Sequence, residues 1–138
     1  GLAESKEVSI EWLSEQTLVL PSHSHGLRVM IEKALARKRL LAKVLIEADS
    51  FRVLTSFVED GLGYTLLPAS AVRADVAAGR LEIAMIAKPN ITRELILASP
   101  ADRHPSIATA AISDLIRREI AKLSEEGLWD IRMDDTAF

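Results

Sequence analysis

The sequence predicts an α/β fold with a mainly parallel sheet. Three observations carry that expectation. Short apolar runs at 17–21 (TLVLP), 43–49 (KVLIEAD) and 64–68 (YTLLP) alternate with stretches whose apolar residues recur at helical spacing. Each run is closed by a proline, or by an Asp-Ser pair able to open a helix. The strand–helix–strand order repeats, which is the pattern of parallel strands joined by helical crossovers.

The elements follow in chain order. Gly1 to Glu7 read as loosely ordered, and Ile10, Trp12 and Leu13 dock a short turn on the body. Thr17–Pro21 is the first strand, and the polar loop SHSHG at 22–26 leaves it. Leu27, Met30, Ile31, Ala34 and Leu35 form the buried stripe of a helix that ends near Arg39 or Leu40. The cations Arg37, Lys38 and Arg39 fall in its last turn, where the helix dipole favours them; a phosphate-binding patch is the alternative. Lys43–Asp49 is the second strand. Asp49 or Ser50 caps a helix carrying Val53, Leu54, Phe57 and Val58 inward.

Gly61 ends that helix at a left-handed position, and Gly63 lets the chain turn back closely. Tyr64–Leu67 is a third strand, continuous rather than alternating, so a central strand covered on both faces is expected. Pro68 closes it. A short helix covers Ser70–Ala78 and stops at Gly79. Leu81–Ile86 is a fourth strand at a sheet edge or crossing, and Pro89 breaks the pattern. Thr92–Ala98 is a fifth strand, with Leu95 and Leu97 on one face. Ser106 opens the longest helix, which carries Ile107, Ala110, Ala111, Leu115, Ile116 and Ile120; Gly127 ends it, before an acidic tail.

The totals exclude several classes. With 138 residues, 49% of them hydrophobic, the chain makes one ordinary domain with a real core. A net charge of −3 gives no support to a nucleic-acid surface. Without cysteine there is no disulfide, thiolate metal site or thiol nucleophile. No apolar run approaches the roughly 20 residues of a membrane span, so no membrane partner is expected. The first residues lack a signal-peptide pattern.

The glycine pair Gly61–Gly63 is no dinucleotide fingerprint. A helix precedes it, a strand follows it, and residue 66 is leucine. No P-loop occurs, and no cofactor is expected. The SHSHG loop is the richer candidate, since it leaves a strand and enters a helix whose first amides accept an anion. Ser22 and Ser24 offer hydroxyls there, and His23 and His25 offer imidazoles. The plainer alternative is that one serine caps the helix while the histidines face water. A metal is not expected, because the third histidine, His104, lies in another loop. Ser50 and Phe51 repeat the strand-to-helix arrangement, as a ligand contact and pocket wall or as cap and core ring. Tyr64 and Thr65 offer hydroxyls, or simply pack. Catalytic patterns are absent: no G-x-S-x-G, no H-E-x-x-H, and carboxylate pairs only at Glu125–Glu126 and Asp134–Asp135.

In order, LVLPSHSHGLRVMIEKAL, EADSFRVLTSFVEDGLGYTLLPASAV and GRLEIAMIAKPNITRELILASP, followed by the last helix, resemble the effector-binding domain of LysR-type bacterial transcriptional regulators. The central segment, a helix ending V-x-x-G-x-G before a strand closed by proline, is the strongest match. The resemblance covers about Trp12 to Leu123. It implies a periplasmic-binding-protein-like fold of type 2, with two Rossmann-like lobes joined by crossing strands. It divides the chain into a linker or leftover crossing segment at 1–13 and lobe II at 14–85. A crossing strand with the returning part of lobe I follows at 86–124, then an acidic tail at 125–138. The earlier part of lobe I and a DNA-binding domain are missing from that layout, so a fragment is expected.

The resemblance also implies residue roles. Ser22, His23, Ser24, Ser50, Phe51, Tyr64 and Thr65 line an interlobe effector cleft, while Gly61, Gly63 and Pro68 shape the turn. The expected partner is a small organic anion or metabolite. Self-association as a dimer or higher oligomer is expected through the apolar face of the last helix. DNA is contacted only through a domain outside this chain, and the location is the cytoplasm. The alternatives are a fragment of a periplasmic solute-binding protein and, less favoured, a two-lobed α/β enzyme.

Overall fold

The computed structural model describes residues 6–87, 91–99, 102, 104–129 and 131. The chain divides into two compact units, Gly1–Thr92 and Arg93–Phe138. The first unit holds β1 (Glu7–Val8), α1 (Ile10–Glu15), β2 (Thr17–Leu20), α2 (Gly26–Ala36), β3 (Lys43–Glu47), α3 (Phe51–Glu59), α4 (Ala69–Ala77) and β4 (Met85–Ile86). The second holds α5 (Ile107–Glu125). The expected break at Pro89, the first five residues and the pair Asp134–Asp135 lie outside the described residues.

β2 is the spine of the first unit. It pairs in parallel with β3, Thr17 opposite Lys43 and Leu20 opposite Glu47, with one register shift between Leu18 and Val19. Tyr64 bridges its other side at Leu18, also in parallel. Leu18, Val19 and Leu20 are each 0% exposed. Full burial of each such side chain contributes roughly 1.5–3 kcal/mol. The strand covered on both faces is therefore β2, not the third strand expected at Tyr64–Leu67.

That third strand reduces to a single bridge. Tyr64 N donates to Thr17 O at 2.9 Å, and Val19 N donates to Tyr64 O at 2.9 Å. In this register the next bond would run from Leu66 N to Val19 O, and it is not formed. The bond after that would need an amide proton from residue 21, which is proline and has none. The fourth strand is also shorter than expected. Only Met85 and Ile86 pair, in parallel with Glu7 and Val8, because Ser9 caps α1 immediately after β1. Glu7 is thus strand rather than loose chain. The fifth strand, Thr92–Ala98, is not formed: residues 92–98 pair with no described strand, and Leu95, Ile96 and Leu97 are exposed. An alternating pattern cannot make a ladder without a partner backbone.

One core holds the unit together. Ile10 and Leu13 from α1, Leu18 and Leu20 from β2, and Ile31, Ala34 and Leu35 from α2 form one buried cluster. Trp12, Leu27, Leu40, Ala42, Val44, Leu66, Ile86 and Ile91 pack against it. The turn at 10–13 is a full helix whose N-cap Ser9 accepts from Trp12 N. In α3 the buried pair is Leu54 and Thr55, while Val53 faces solvent against expectation. Phe51, Phe57 and Val58 are half-buried, so the inward stripe runs the length of the helix without Val53.

The second unit is different. α5 starts at Ser106, whose hydroxyl accepts from Thr109 N, and buries no residue. Ile107, Ile112, Leu115 and Ile116 are exposed.

Candidate functional site

Two strand-to-helix loops meet at the carboxyl ends of β2 and β3. The first is Pro21–His25 and the second is Ala48–Ser50. Asp49 ties them together. Its Oδ1 accepts from Ser22 N at 3.0 Å and from Ser22 Oγ at 2.8 Å. Those two bonds, amide first and hydroxyl second, hold the Asp49 carboxyl below the usual aspartate range. Ser24 Oγ lies 3.2 Å from Ser22 Oγ. The single hydroxyl proton of Ser22 points at the carboxylate, so Ser24 is the donor in that pair.

His25, not a serine, caps α2. Its Nδ1 accepts from Leu27 N at 3.1 Å, which places the proton of the neutral ring on Nε2. The same ring lies 6.0 Å from the Phe51 ring, at the start of α3. Ser50 is the N-cap residue of α3 by backbone geometry but makes no side-chain cap bond. The first amides of α3 therefore lack the hydroxyl partner that those of α5 have.

Behind the loop sits a buried cation. Arg28 is 3% exposed. It donates from Nε to Glu32 Oε1 at 2.7 Å, and from one terminal nitrogen to both Pro21 O and Glu47 Oε1 at 3.0 Å. Its other terminal nitrogen lies 3.4 Å from His23 Nε2. His23 Nδ1 is 3.3 Å from Glu32, and its Nε2 is 3.5 Å from Glu47. This network clamps the loop to α2 and β3, and His23 belongs to it.

The other expected residues lie at the turn before α4. Tyr64 packs edge-on against Trp12, ring centroids 5.2 Å apart. The Thr65 hydroxyl is buried with no hydrogen-bond partner. Gly61 has φ 74° and leaves α3 by a reversed turn, with Gly61 N on Val58 O and Leu62 N on Phe57 O. Gly63 has φ 157°, and a β-carbon there would lie 2.5 Å from Thr17 O. Pro68 is the N-cap of α4. Of the basic cluster at 37–39, Lys38 pairs with Glu11 at 3.2 Å, and Arg39 takes φ 57°. Among the described residues no three His, Asp or Glu side chains gather as metal ligands.

Asp49 and Arg28 tie this rim to its neighbours, yet the sequence alone singles out neither as a site residue. A signal exists for each. Arg28 sits three residues before Ile31, inside the apolar stripe of its helix. Asp49 ends a strand parallel to the one that delivers Ser22.

Two strand-to-helix loops joined at the carboxyl ends of parallel strands make this an α/β domain of the open-sheet class, whose members take ligands beyond those strand ends. Residues 1–121 match the family described as LysR substrate binding domain. The chain belongs to that family. It is 28% identical over 127 residues to "Nitrogen assimilation regulatory protein nac" of Escherichia coli (strain K12), covering 91% of this chain and 42% of that protein. It is 30% identical over 121 residues to "HTH-type transcriptional regulator BbuR" of Bordetella bronchiseptica, covering 88% and 37%. With the "RuBisCO operon transcriptional regulator" of Acidithiobacillus ferrooxidans the identity is 27% over 115 residues, covering 83% and 37%. The chain thus spans about two-fifths of the length of these relatives. Their names are those of regulators, and nothing in them supports the transport reading. Among the described residues no helix is long and apolar enough to cross a membrane.

Proposed function

We propose that this chain is the effector-sensing part of a LysR-type transcriptional regulator, with no catalytic role, working in the cytoplasm. The observation that carries this is the junction of Ser22 and Asp49 in a domain of this family. It joins two strand-to-helix loops where open α/β sheets take ligands. Ser22, Ser24 and Ser50 are the polar contacts, Phe51 is a wall, and Tyr64 and Thr65 flank the site. His23 holds the loop. An acidic group of the effector sits at the start of α3, whose first amides carry no side-chain cap. DNA is contacted elsewhere in the regulator, in keeping with the net charge of −3 in this chain. In this reading 14–85 is one lobe, 86–124 the crossing and returning part of another, and 125–138 a tail.

The test is a thermal-shift screen of small metabolites against the full-length protein. An effector that binds only the folded state adds about 2.7 kcal/mol at a hundredfold excess over its dissociation constant. Ser24→Ala should then weaken the hit by about tenfold, the equivalent of one hydrogen bond of roughly 1–1.5 kcal/mol. Parental affinity in Ser24→Ala and in Ser50→Ala would remove these loops from the site.

Self-association is the second part of the proposal. It is favoured by the exposed Ile107, Ile112, Leu115 and Ile116 of α5. Light scattering should give a mass above that of one chain, and Leu115→Lys should lower it. A strictly monomeric mass at high concentration would rule it out.

A further inference from the structure

We infer that the basic exit of α2 receives the acidic stretch 125–138 of a second copy of this chain. The inference rests on the self-association proposed above and names a second contact for it.

The segment KALARKRLLAK at 33–43 carries Lys33, Arg37, Lys38, Arg39 and Lys43 and no Asp or Glu, in a chain whose net charge is −3. All five cations are exposed. Two of them are held on α1: Lys38 pairs with Glu11 at 3.2 Å, and Lys43 Nζ donates to Glu15 O at 3.3 Å. Arg37 and Arg39 make no ion pair among the described residues. The helix dipole accounts for a cation in the last turn, and Lys33 already fills that place. It does not account for Arg39, which lies beyond the helix at φ 57°, where glycine would be less strained. Strain kept at an exposed charged residue points to a use for the side chain other than folding. Leu41, two residues on, is 84% exposed, more than any other large hydrophobic residue described in the first unit. Cations beside bare apolar surface suit a protein segment that is both acidic and apolar; a phosphate backbone offers Leu41 nothing to pack on.

This chain carries such a segment. EEGLWDIRMDDTAF at 125–138 interleaves its carboxylates with Trp129, Ile131 and Met133, and Arg132 is its one cation. Glu125 is the last residue of α5, so the helix proposed for association runs directly into this stretch. Each copy offers one basic exit and one acidic stretch. A twofold pair therefore closes two such contacts at once.

The experiment is a charge exchange between copies, read by sedimentation of the full-length protein. Arg37→Glu with Arg39→Glu makes the exit acidic, and Asp134→Lys with Asp135→Lys makes the stretch basic. Each variant alone sets like charges together in both contacts and should weaken self-association by about tenfold or more. An equimolar mixture of the two sets opposite charges together again and should restore it. In the parent, raising salt from about 0.05 to about 0.5 M should weaken association, because exposed charges are screened. Parental association in both variants would overturn the contact and leave association through α5 standing, which Leu115→Lys tests separately. Two weakened variants whose mixture fails to recover would also overturn it, because the contact is then not made between copies. Parental association with weaker DNA binding in the exit variant alone would give the exit to a phosphate backbone instead. Arg37 and Arg39 are exposed, so the exit variant should melt near the parent. If either variant fails to fold, the salt series in the parent decides, and association that salt leaves unchanged overturns the contact. A monomer at every salt concentration overturns both this contact and the association, and the metabolite screen judges effector sensing separately.

Discussion

Gly63 leaves no room for a β-carbon, because Thr17 O would lie 2.5 Å from it. Both obstacle and neighbour are backbone, held by the Tyr64 N to Thr17 O bond, so neither can yield cheaply. Gly61, two residues earlier, needs only its positive φ and faces open space. Alanine should therefore discriminate between them. Gly61→Ala should cost about 1–2 kcal/mol, the usual cost of the left-handed region. Gly63→Ala should cost about 3 kcal/mol or more, with strain and displaced backbone together. Chemical denaturation of both variants checks the order, and equal losses would contradict it. Arg39 shows the converse case. It occupies φ 57° with Leu40 N bonded back to Leu35 O, the same reversed exit that Gly61 makes from α3. Arg39→Gly should stabilise by about 0.5–1 kcal/mol, the relieved strain less the entropy of glycine; a lower melting temperature would contradict this. Asp49 supplies a pH signature. Its folded-state pKa is depressed by the Ser22 amide and hydroxyl. Its contribution to stability is fully present above the unfolded-state value and is lost as pH falls through the lower folded-state value. The stability difference between the parent and Asp49→Ala, which removes both Ser22 bonds, should hold at neutral pH and shrink as acid protonates residue 49. A difference that widens toward acid would mean the depression is absent.

At the level of elements, the loop after β2 is fixed by Arg28 rather than by its own sequence. One guanidinium bonds a carbonyl of the loop, a carboxylate of α2 and a carboxylate of β3. Arg28→Lys cannot span three acceptors with one ammonium and should not substitute for it. The expected loss is about 1–2 kcal/mol, discounted because Glu32 and Glu47 are both partly open to water. Hydrogen exchange should quicken at Ser22 and His25, and unchanged exchange would show that the clamp is dispensable. The periodicities of α2 and α3 and the apolar runs of β2 and β3 are legible in the sequence, because burial of a stripe or a strand writes itself locally. Pairing is not. Whether Tyr64–Leu67 forms a ladder depends on how it meets β2, some forty residues away, and whether 92–98 forms one depends on another backbone altogether. The rim is half legible. Ser22 and Ser24 stand out beside a helix start, but their hydrogen-bond partner Asp49 is 27 residues off. Only the parallel pairing of β2 with β3 brings them together.

For the whole molecule, the buried hydrophobic residues among those described all fall between Ile10 and Val72. Shortening the chain after Thr92 should therefore preserve cooperative unfolding, with a melting temperature within a few degrees of the parent. Loss of the sigmoidal transition would show that residues beyond 92 belong to the same cooperative unit. In the proposed division of labour, the exposed apolar face of α5 serves association, while sensing belongs to the ends of β2 and β3. The most direct test of that division is a hydrogen-exchange footprint of the full-length protein, with and without a metabolite found by thermal shift. Added protection should centre on residues 22–27 and 49–53, the two loops and the first turns of α2 and α3. Protection that spares both loops and falls instead on α4 or α5 would contradict a sensing site at the ends of β2 and β3.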